Sequence, residues 1–393
     1  MSAVVDVADT LPAGFIAERR VSMPTGKMVV RVRQSHLDLD QLIGFAARNN
    51  AKRGFLFLSK VLGKHWPVRP SVMSAMHDLL AGQIPPNAGT VVFIGMAETA
   101  IGLGQGIFES WCQRHPERRA LYLPTTRYRV GTGDVMVFQE THSHAPHQYL
   151  HVPAEPLRSL LQDATSLVLI DDEVSTGNTF VNLVSTLRAQ CPDLASVHIS
   201  TITNFMGEAA SVALADRFGL PVTHAGALDG EYDFLPDALP VAQTLTHSDE
   251  GVANATLTGH FGRVGIARKL PAPVALAREL FAQYRTGETV LVLGTGEFLH
   301  PPFLLARELE QLGADVTFQS TTRSPILQWG AAMHVLQFAD IYGEGVDNFL
   351  YNVQPQQYDH VLICHETASG QGLTQLAEAL DARLLHFNHE GGC

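Results

Sequence analysis

Short apolar runs bounded by glycine, acids and hydroxyl residues recur along this chain, and several are followed by apolar residues at helical spacing. Residues 90–95 (TVVFIG) read as a buried strand leading into a helix over 101–114. Residues 167–170 (LVLI) form another such strand, with an apolar-periodic helix at 180–187, and 121–124, 197–203 and 221–227 add three more strands. Strands alternating with helices predict an α/β fold with a doubly wound, mostly parallel sheet, whose ligands gather at the carboxyl ends of the strands.

The pattern starts afresh in the C-terminal third. A proline-containing junction at 270–273 and a helix reaching Tyr284 precede a strand at 288–293, an amphipathic helix at 303–312, and further strands at 315–319 and 360–364. This restart predicts two domains: residues 1–259, including an N-terminal extension, and a second, smaller α/β domain at 260–393. Polar clusters follow all three C-terminal strands: Gly294, Thr295, Gly296 and Glu297; Thr321, Thr322, Arg323, Ser324 and Pro325; His365, Glu366 and Thr367. In an open α/β sheet they would converge at one edge and form a second site, although each alone would serve as a turn.

A length of 393 residues, with 46% apolar and 17% charged, suits about two or three domains with buried sheets. No apolar run reaches membrane-spanning length, and the opening MSAVVDVADT lacks the basic start of a secretion signal, so the expected location is cytoplasmic with no membrane partner. Cys112, Cys191, Cys364 and Cys393 are scattered without paired spacing, as free thiols would be. The net charge of −12 speaks against general nucleic-acid binding and leaves room for a locally basic pocket.

The candidate chemistry centres on residues 167–179, LVLIDDEVSTGNT. Ser175, Thr176, Gly177, Asn178 and Thr179 sit at a helix N-terminus, where unpaired N–H groups and the helix dipole hold a phosphate; Gly177 can take a positive φ. Asp171 and Asp172 leave the strand just before this loop, placed to hold sugar hydroxyls directly or through magnesium. Gly95, Met96, Ala97, Glu98 and Thr99 would lie beside the cradle after the neighbouring strand. Between them, residues 125–148 read as a long irregular insert with Arg127, Arg129, Glu140, His142, His144 and His147, an arrangement usual for a functional or mobile loop. The histidine spacing could bind a transition metal, but loop histidines without acid or thiol partners are more often solvated or substrate-facing. Upstream, residues 52–65 mix an apolar strand with basic residues, among them Lys60 and Lys64; they could roof an acceptor or be solvated surface.

Residues 167–179 resemble the phosphoribosyl-diphosphate (PRPP) signature of the type I phosphoribosyltransferases: apolar strand, acid pair, two variable residues, then small-Thr-Gly-x-Thr. The resemblance implies transfer of ribose-5-phosphate from PRPP to a small-molecule acceptor with Mg2+ as cofactor. It implies a pyrophosphate loop at 95–99, a catalytic loop in the insert with Arg127, Arg129 and the histidines, among them His142 and His144, as cations, and Asp171 and Asp172 on ribose and metal. Glu173 is the candidate general base. Asp229, in a segment weakly similar to one in purine-salvage enzymes, is the candidate for the magnesium–diphosphate group. Two departures disfavour an ordinary purine acceptor: Ser175 replaces the family's acidic base, and Thr203 and Asn204 stand where a lysine would be. The string Thr322-Arg323-Ser324-Pro325 resembles the motif that names the TRSP domain, a module fused behind phosphoribosyltransferase domains in bacterial clusters linked to tellurite resistance and stress. That fusion implies synthesis of a nucleoside-like or otherwise ribosylated metabolite. Two alternatives stand beside it: a PRPP-binding regulator without turnover, and an enzyme whose second step lies in the C-terminal domain. A homodimer is compatible with all three.

Overall fold

The protein is described by a computed structural model covering residues 11–50, 53–131, 133–139, 147–237, 257 and 259–388. Its first two strands, β1 (Ala17–Met23) and β2 (Gly26–Ser35), pair antiparallel, with Met28, Val30 and Val32 buried and Arg31 and Arg33 on the alternate positions. One helical turn, α1 (Leu39–Leu42), leads to a separate antiparallel pair, β3 (Ile43–Ala47) and β4 (Phe55–Ser59). Helix α2 (Pro70–Gln83) begins at a proline, whose missing N–H costs nothing in the first turn. There follow β5 (Thr90–Gly95), α3 (Ile101–Arg114) and β6 (Ala120–Pro124), and then a hairpin of β7 (Val135–Gln139) and β8 (His147–His151). The remainder of this half is α4 (Leu157–Gln162), β9 (Ala164–Val174), α5 (Asn178–Leu187), β10 (Ser196–Asn204), α6 (Gly207–Phe218) and β11 (Val222–Pro236).

Seven strands join in the order β1-β2-β11-β10-β9-β5-β6. The five from β11 to β6 are parallel, and β2 closes on β11 antiparallel. The second half contains α7 (Val274–Phe281), β12 (Thr289–Gly294), α8 (His300–Gln311), β13 (Asp315–Ser320), the hairpin β14 (Val335–Phe338) and β15 (Asn348–Tyr351), β16 (His360–His365), α9 (Gln371–Leu380) and β17 (Arg383–His386). Its four-stranded sheet, β13-β12-β16-β17, is wholly parallel. The fold is therefore α/β, a mostly parallel sheet followed by a smaller one. Residues 125–148 are less irregular than the sequence suggested: the short apolar string at 135–139 finds a partner strand at 147–151, a long-range pairing that local composition does not announce.

The two sheets are tied edge to edge. Val68, from the first half, makes an antiparallel bridge to Phe318 on the outer strand β13, while Ile266, from the second, bridges Tyr122 on the outer strand β6. Val68, Met73, Ala97 and Ile101 share one apolar cluster with Phe298, Leu299, Phe303 and Phe318. Among the described residues no helix is long and apolar enough to cross a membrane.

Candidate active site

Strand β9 is flanked on both sides by parallel neighbours, β5 and β10, so its carboxyl end is fixed in two directions. Residues 167–170 are fully buried. The strand does not stop there: pairing with Thr201, Thr203 and Asn204 carries it through Asp171, Asp172 and Glu173 to Val174. The acids are thus the last rungs of a central strand, which corrects the expectation that they leave it. Asp171 and Asp172 remain partly open to solvent, and Asp171 Oδ1 accepts the Asp172 N–H at 2.9 Å. Gly177 follows as the N-cap of α5 with φ 67°, a left-handed conformation natural to glycine, and an added Cβ would sit 3.0 Å from Leu214. Around it stand Ser175, Thr176, Asn178 and Thr179. Arg217 of α6 braces this loop, donating to Thr176 O at 3.2 Å and Asn178 Oδ1 at 2.7 Å.

The loop after β5 lies against this end. Thr99 Oγ1 donates to Asp172 Oδ1 at 2.8 Å, so the two expected PRPP segments are directly bonded. The Met96 N–H goes to Ile170 O and the Ala97 N–H to Thr125 Oγ1, while Gln148 Nε2 holds Ala97 O. Those two amides are therefore committed within the protein, a correction to the expectation that the backbone of the whole Gly95 loop faces ligand.

Other sequence candidates are placed differently from expectation. Arg53 holds both Glu173 oxygens at 2.6 Å. Burial raises the Glu173 carboxyl, the Arg53 charge opposes this, and the group is half of an ion pair rather than an open general base. Asp229 lies on β11, two strands from the acid pair, where Asn204 Nδ2 donates to it at 3.0 Å. Among the described residues no three His, Cys, Asp or Glu side chains gather as a metal site, so Asp229 does not join Asp171 and Asp172 as a third ligand. Of the two lysines singled out in the basic stretch at 52–65, Lys60 keeps contact with solvent and Lys64 does not. Lys60 donates to Asp40 O and lies 5.4 Å from the Trp66 ring, and Lys64 is fully buried. Arg129 is exposed, whereas Arg127 is half-buried and gives its N–H to Glu297 at 2.9 Å. His142 and His144 lie outside the described residues.

Glu297 introduces the second polar region, at the carboxyl ends of β12, β13 and β16. The clusters there converge as expected: the Gly296 N–H donates to Thr321 Oγ1 at 2.9 Å, and Arg263 bridges Glu297 and Glu366. They are also bonded to the first half of the chain. Glu297 accepts from Thr126 Oγ1 at 2.5 Å, the Arg323 guanidinium lies 4.8 Å from the Tyr128 ring centroid, and Lys64 Nζ donates to Gly296 O at 2.8 Å and Thr321 O at 2.7 Å. Lys64 also meets Glu98 Oε1 at 2.5 Å. Burial by itself would raise the Glu98 carboxyl, but Lys64, then Arg323 and Arg127, hold it down to about 2. Thr322 Oγ1 caps the Ser324 N–H, Thr295 Oγ1 reaches Cys364 O, and His365 stacks on His386. Beside these groups a small, partly open hollow is lined by Thr125, Thr126, Arg263, Glu297, Phe298 and Glu366. It lies along the domain seam rather than over the acid pair. Sequence reasoning missed Arg53, Arg263 and Tyr128; only the basic composition of 52–65 pointed toward the first of them.

An acid pair thus ends a central parallel strand, with a glycine-capped loop after it and the loop following β5 bonded to it. Residues 42–231 match the family described as phosphoribosyl transferase, and residues 258–380 match the one described as TRSP domain C terminus to that transferase domain. The chain thus carries a phosphoribosyltransferase-family domain followed by the TRSP domain, in the fused order those two families describe. Similar solved structures include adenine phosphoribosyltransferase from Rhodothermus marinus, 16% identical, with 49% of this chain and 96% of that one covered and a TM-score of 0.32. Another is the Trypanosoma brucei enzyme in complex with AMP, pyrophosphate and ribose-5-phosphate, at 14% identity, 51% and 82% coverage and a TM-score of 0.35. The Giardia lamblia enzyme complexed with 9-deazaadenine is 16% identical, with 49% and 97% covered and a TM-score of 0.32. Scores this low carry no argument about the acceptor. No curated protein matches the chain.

Proposed function

We propose that this enzyme transfers ribose-5-phosphate from PRPP to a small-molecule acceptor with Mg2+. The observation that carries the reading is the Thr99–Asp172 hydrogen bond, which joins the loop after β5 to the acid pair beside the Gly177 cradle. Loop 175–179 and the α5 N-terminus hold the 5-phosphate, Asp171 and Asp172 hold the ribose hydroxyls, and the loop after β5 receives the diphosphate. Two carboxylates at one strand end are hard oxygen donors of the kind Mg2+ takes from a protein, the rest coming from phosphates and water. When bound, the ion would neutralise charge on the diphosphate. The acceptor forms its bond to ribose C1 as the C1–O bond to pyrophosphate breaks, through an oxocarbenium-like state, so the protein's contribution is position and charge rather than covalent help.

The fusion supports a nucleoside-like product in a tellurite or stress response, made in the cytoplasm. Calorimetric titration with PRPP, with and without Mg2+, and pyrophosphate release in the presence of a metabolite extract test the reading. Magnesium-dependent PRPP binding is expected; a folded chain that binds no PRPP overturns it. Metabolite profiles of cells with and without the chain test the product, and sedimentation tests the homodimer.

A further inference from the structure

Lys64 has no exposed side-chain surface and three oxygens around its ammonium: Glu98 Oε1, its ion-pair partner, at 2.5 Å, and the two acceptors Gly296 O at 2.8 Å and Thr321 O at 2.7 Å. Two of the three belong to the carboxyl ends of β12 and β13, in the other domain. Glu98 immediately precedes Thr99, whose hydroxyl is bonded to Asp172. A continuous line of contacts therefore runs from the C-terminal sheet through Lys64 and the Glu98–Thr99 loop to the acid pair. Arg323 approaches the same place over Tyr128, with NH1 on Glu344 at 2.6 Å and its side chain mostly covered. Its charge also acts on Glu98. Thr126 and the Arg127 N–H, next to the loop after β5, are held by Glu297 of the C-terminal domain.

We propose that the C-terminal domain is a positioning element of the phosphoribosyltransferase site: through Lys64 it fixes Glu98, through Arg323 and Glu297 it holds the neighbouring segment 126–128, and so it sets the loop after β5 in the form that receives the diphosphate. The inference rests on the PRPP reading above. Glu98, Lys64 and Arg323 act through the loop, whereas the cradle at 175–179 is braced by Arg217 of α6. Loss of either cation should therefore harm binding at the diphosphate end and spare the 5-phosphate end.

The test is calorimetry on the full chain with two probes, magnesium pyrophosphate and ribose 5-phosphate. In Lys64→Met and Arg323→Ala the pyrophosphate dissociation constant is expected to rise about ten- to a hundredfold, the scale set by small misplacements of binding groups, with ribose 5-phosphate within about twofold of wild type. Arg323→Lys should recover part of the loss, since it keeps the charge without the planar fork. Arg323 is partly exposed, so Arg323→Ala is the informative variant if Lys64→Met fails to fold. Unchanged pyrophosphate binding in folded Arg323→Ala overturns the inference, as does an equal loss of both probes. A wild-type chain that binds neither probe overturns the PRPP reading, and the inference falls with it; binding of both by wild type sustains that reading whatever the variants do.

Discussion

Two charged clusters stand at the strand ends of this enzyme, and they are built in opposite ways. At the end of β9, Asp171, Asp172, Ser175 and Thr176 keep contact with solvent. At the domain seam Lys64, Arg263, Glu297 and Glu366 are each less than a tenth exposed and each engaged by a partner of opposite charge. An exposed group can exchange water for a ligand at small cost, whereas a buried ion pair is already committed, because removing one partner strands the other in a low-dielectric interior. On the proposed reading, the difference separates a place open to substrate from a place where geometry is set, although both carry charge.

The sharpest way to break that distinction is at the exposed cluster. Asp171→Asn with Asp172→Asn should abolish pyrophosphate release, a loss of about 4 kcal/mol or more of transition-state stabilisation and so roughly a thousandfold in rate, while the fold survives. Normal turnover in the folded double variant would remove the acid pair from the site. At the seam the larger effect should be on stability. Lys64→Met leaves Glu98 buried without its cation and should cost about 3–5 kcal/mol in chemical denaturation, with Glu98→Gln in the same chain restoring part of it. If Lys64→Met alone changed stability by less than 1 kcal/mol, the pair would be behaving like a surface contact.

Acid titration probes the buried side again. Burial pushes His65 and His77 from their ordinary range down to about 3; His65 also feels Lys64, and His77 faces His300, Glu109 and Arg307. Both rings are neutral when folded and bind a proton more readily when unfolded, so their contribution is complete above pH 6.5 and is lost as pH falls from 6.5 toward 3. The slope should approach about 1.4 kcal/mol per pH unit for each ring. Melting curves that stay flat between pH 6.5 and 5 would contradict their burial. The smallest effect belongs to the cradle, where Gly177→Val should cost about 1–2 kcal/mol for the left-handed backbone. It should weaken PRPP binding more than its thermal shift implies; ordinary PRPP affinity would mean that the phosphate is held elsewhere.

Much of this was legible along the chain. Central strands such as β5, β9 and β12 are nearly continuous apolar strings, so their positions follow from composition alone. The acid pair and Gly177 lie within one run of thirteen residues, where spacing and conformational preference carry the chemistry. The pair β1–β2 was not anticipated, although the alternation of Met28, Val30 and Val32 with Lys27, Arg31 and Arg33 was there to be read. The hairpin β7–β8 offered less, because each strand is short and its partner is distant enough for the stretch between to look irregular.

What local sequence determined was therefore the presence of two α/β units and of the acid pair with its glycine-capped loop, since strand burial, helix periodicity and a glycine-capped turn are properties of neighbours along the chain. What tertiary structure alone decided was which charges answer one another. Glu173 looks like a free base until Arg53, 120 residues away, takes both of its oxygens. Lys64 looks like a surface lysine until carbonyls 232 and 257 residues away close around it. Coulomb forces and desolvation depend on distance through space, which the order of residues does not contain, and so the charged seam between the two halves appears only when the chain is folded.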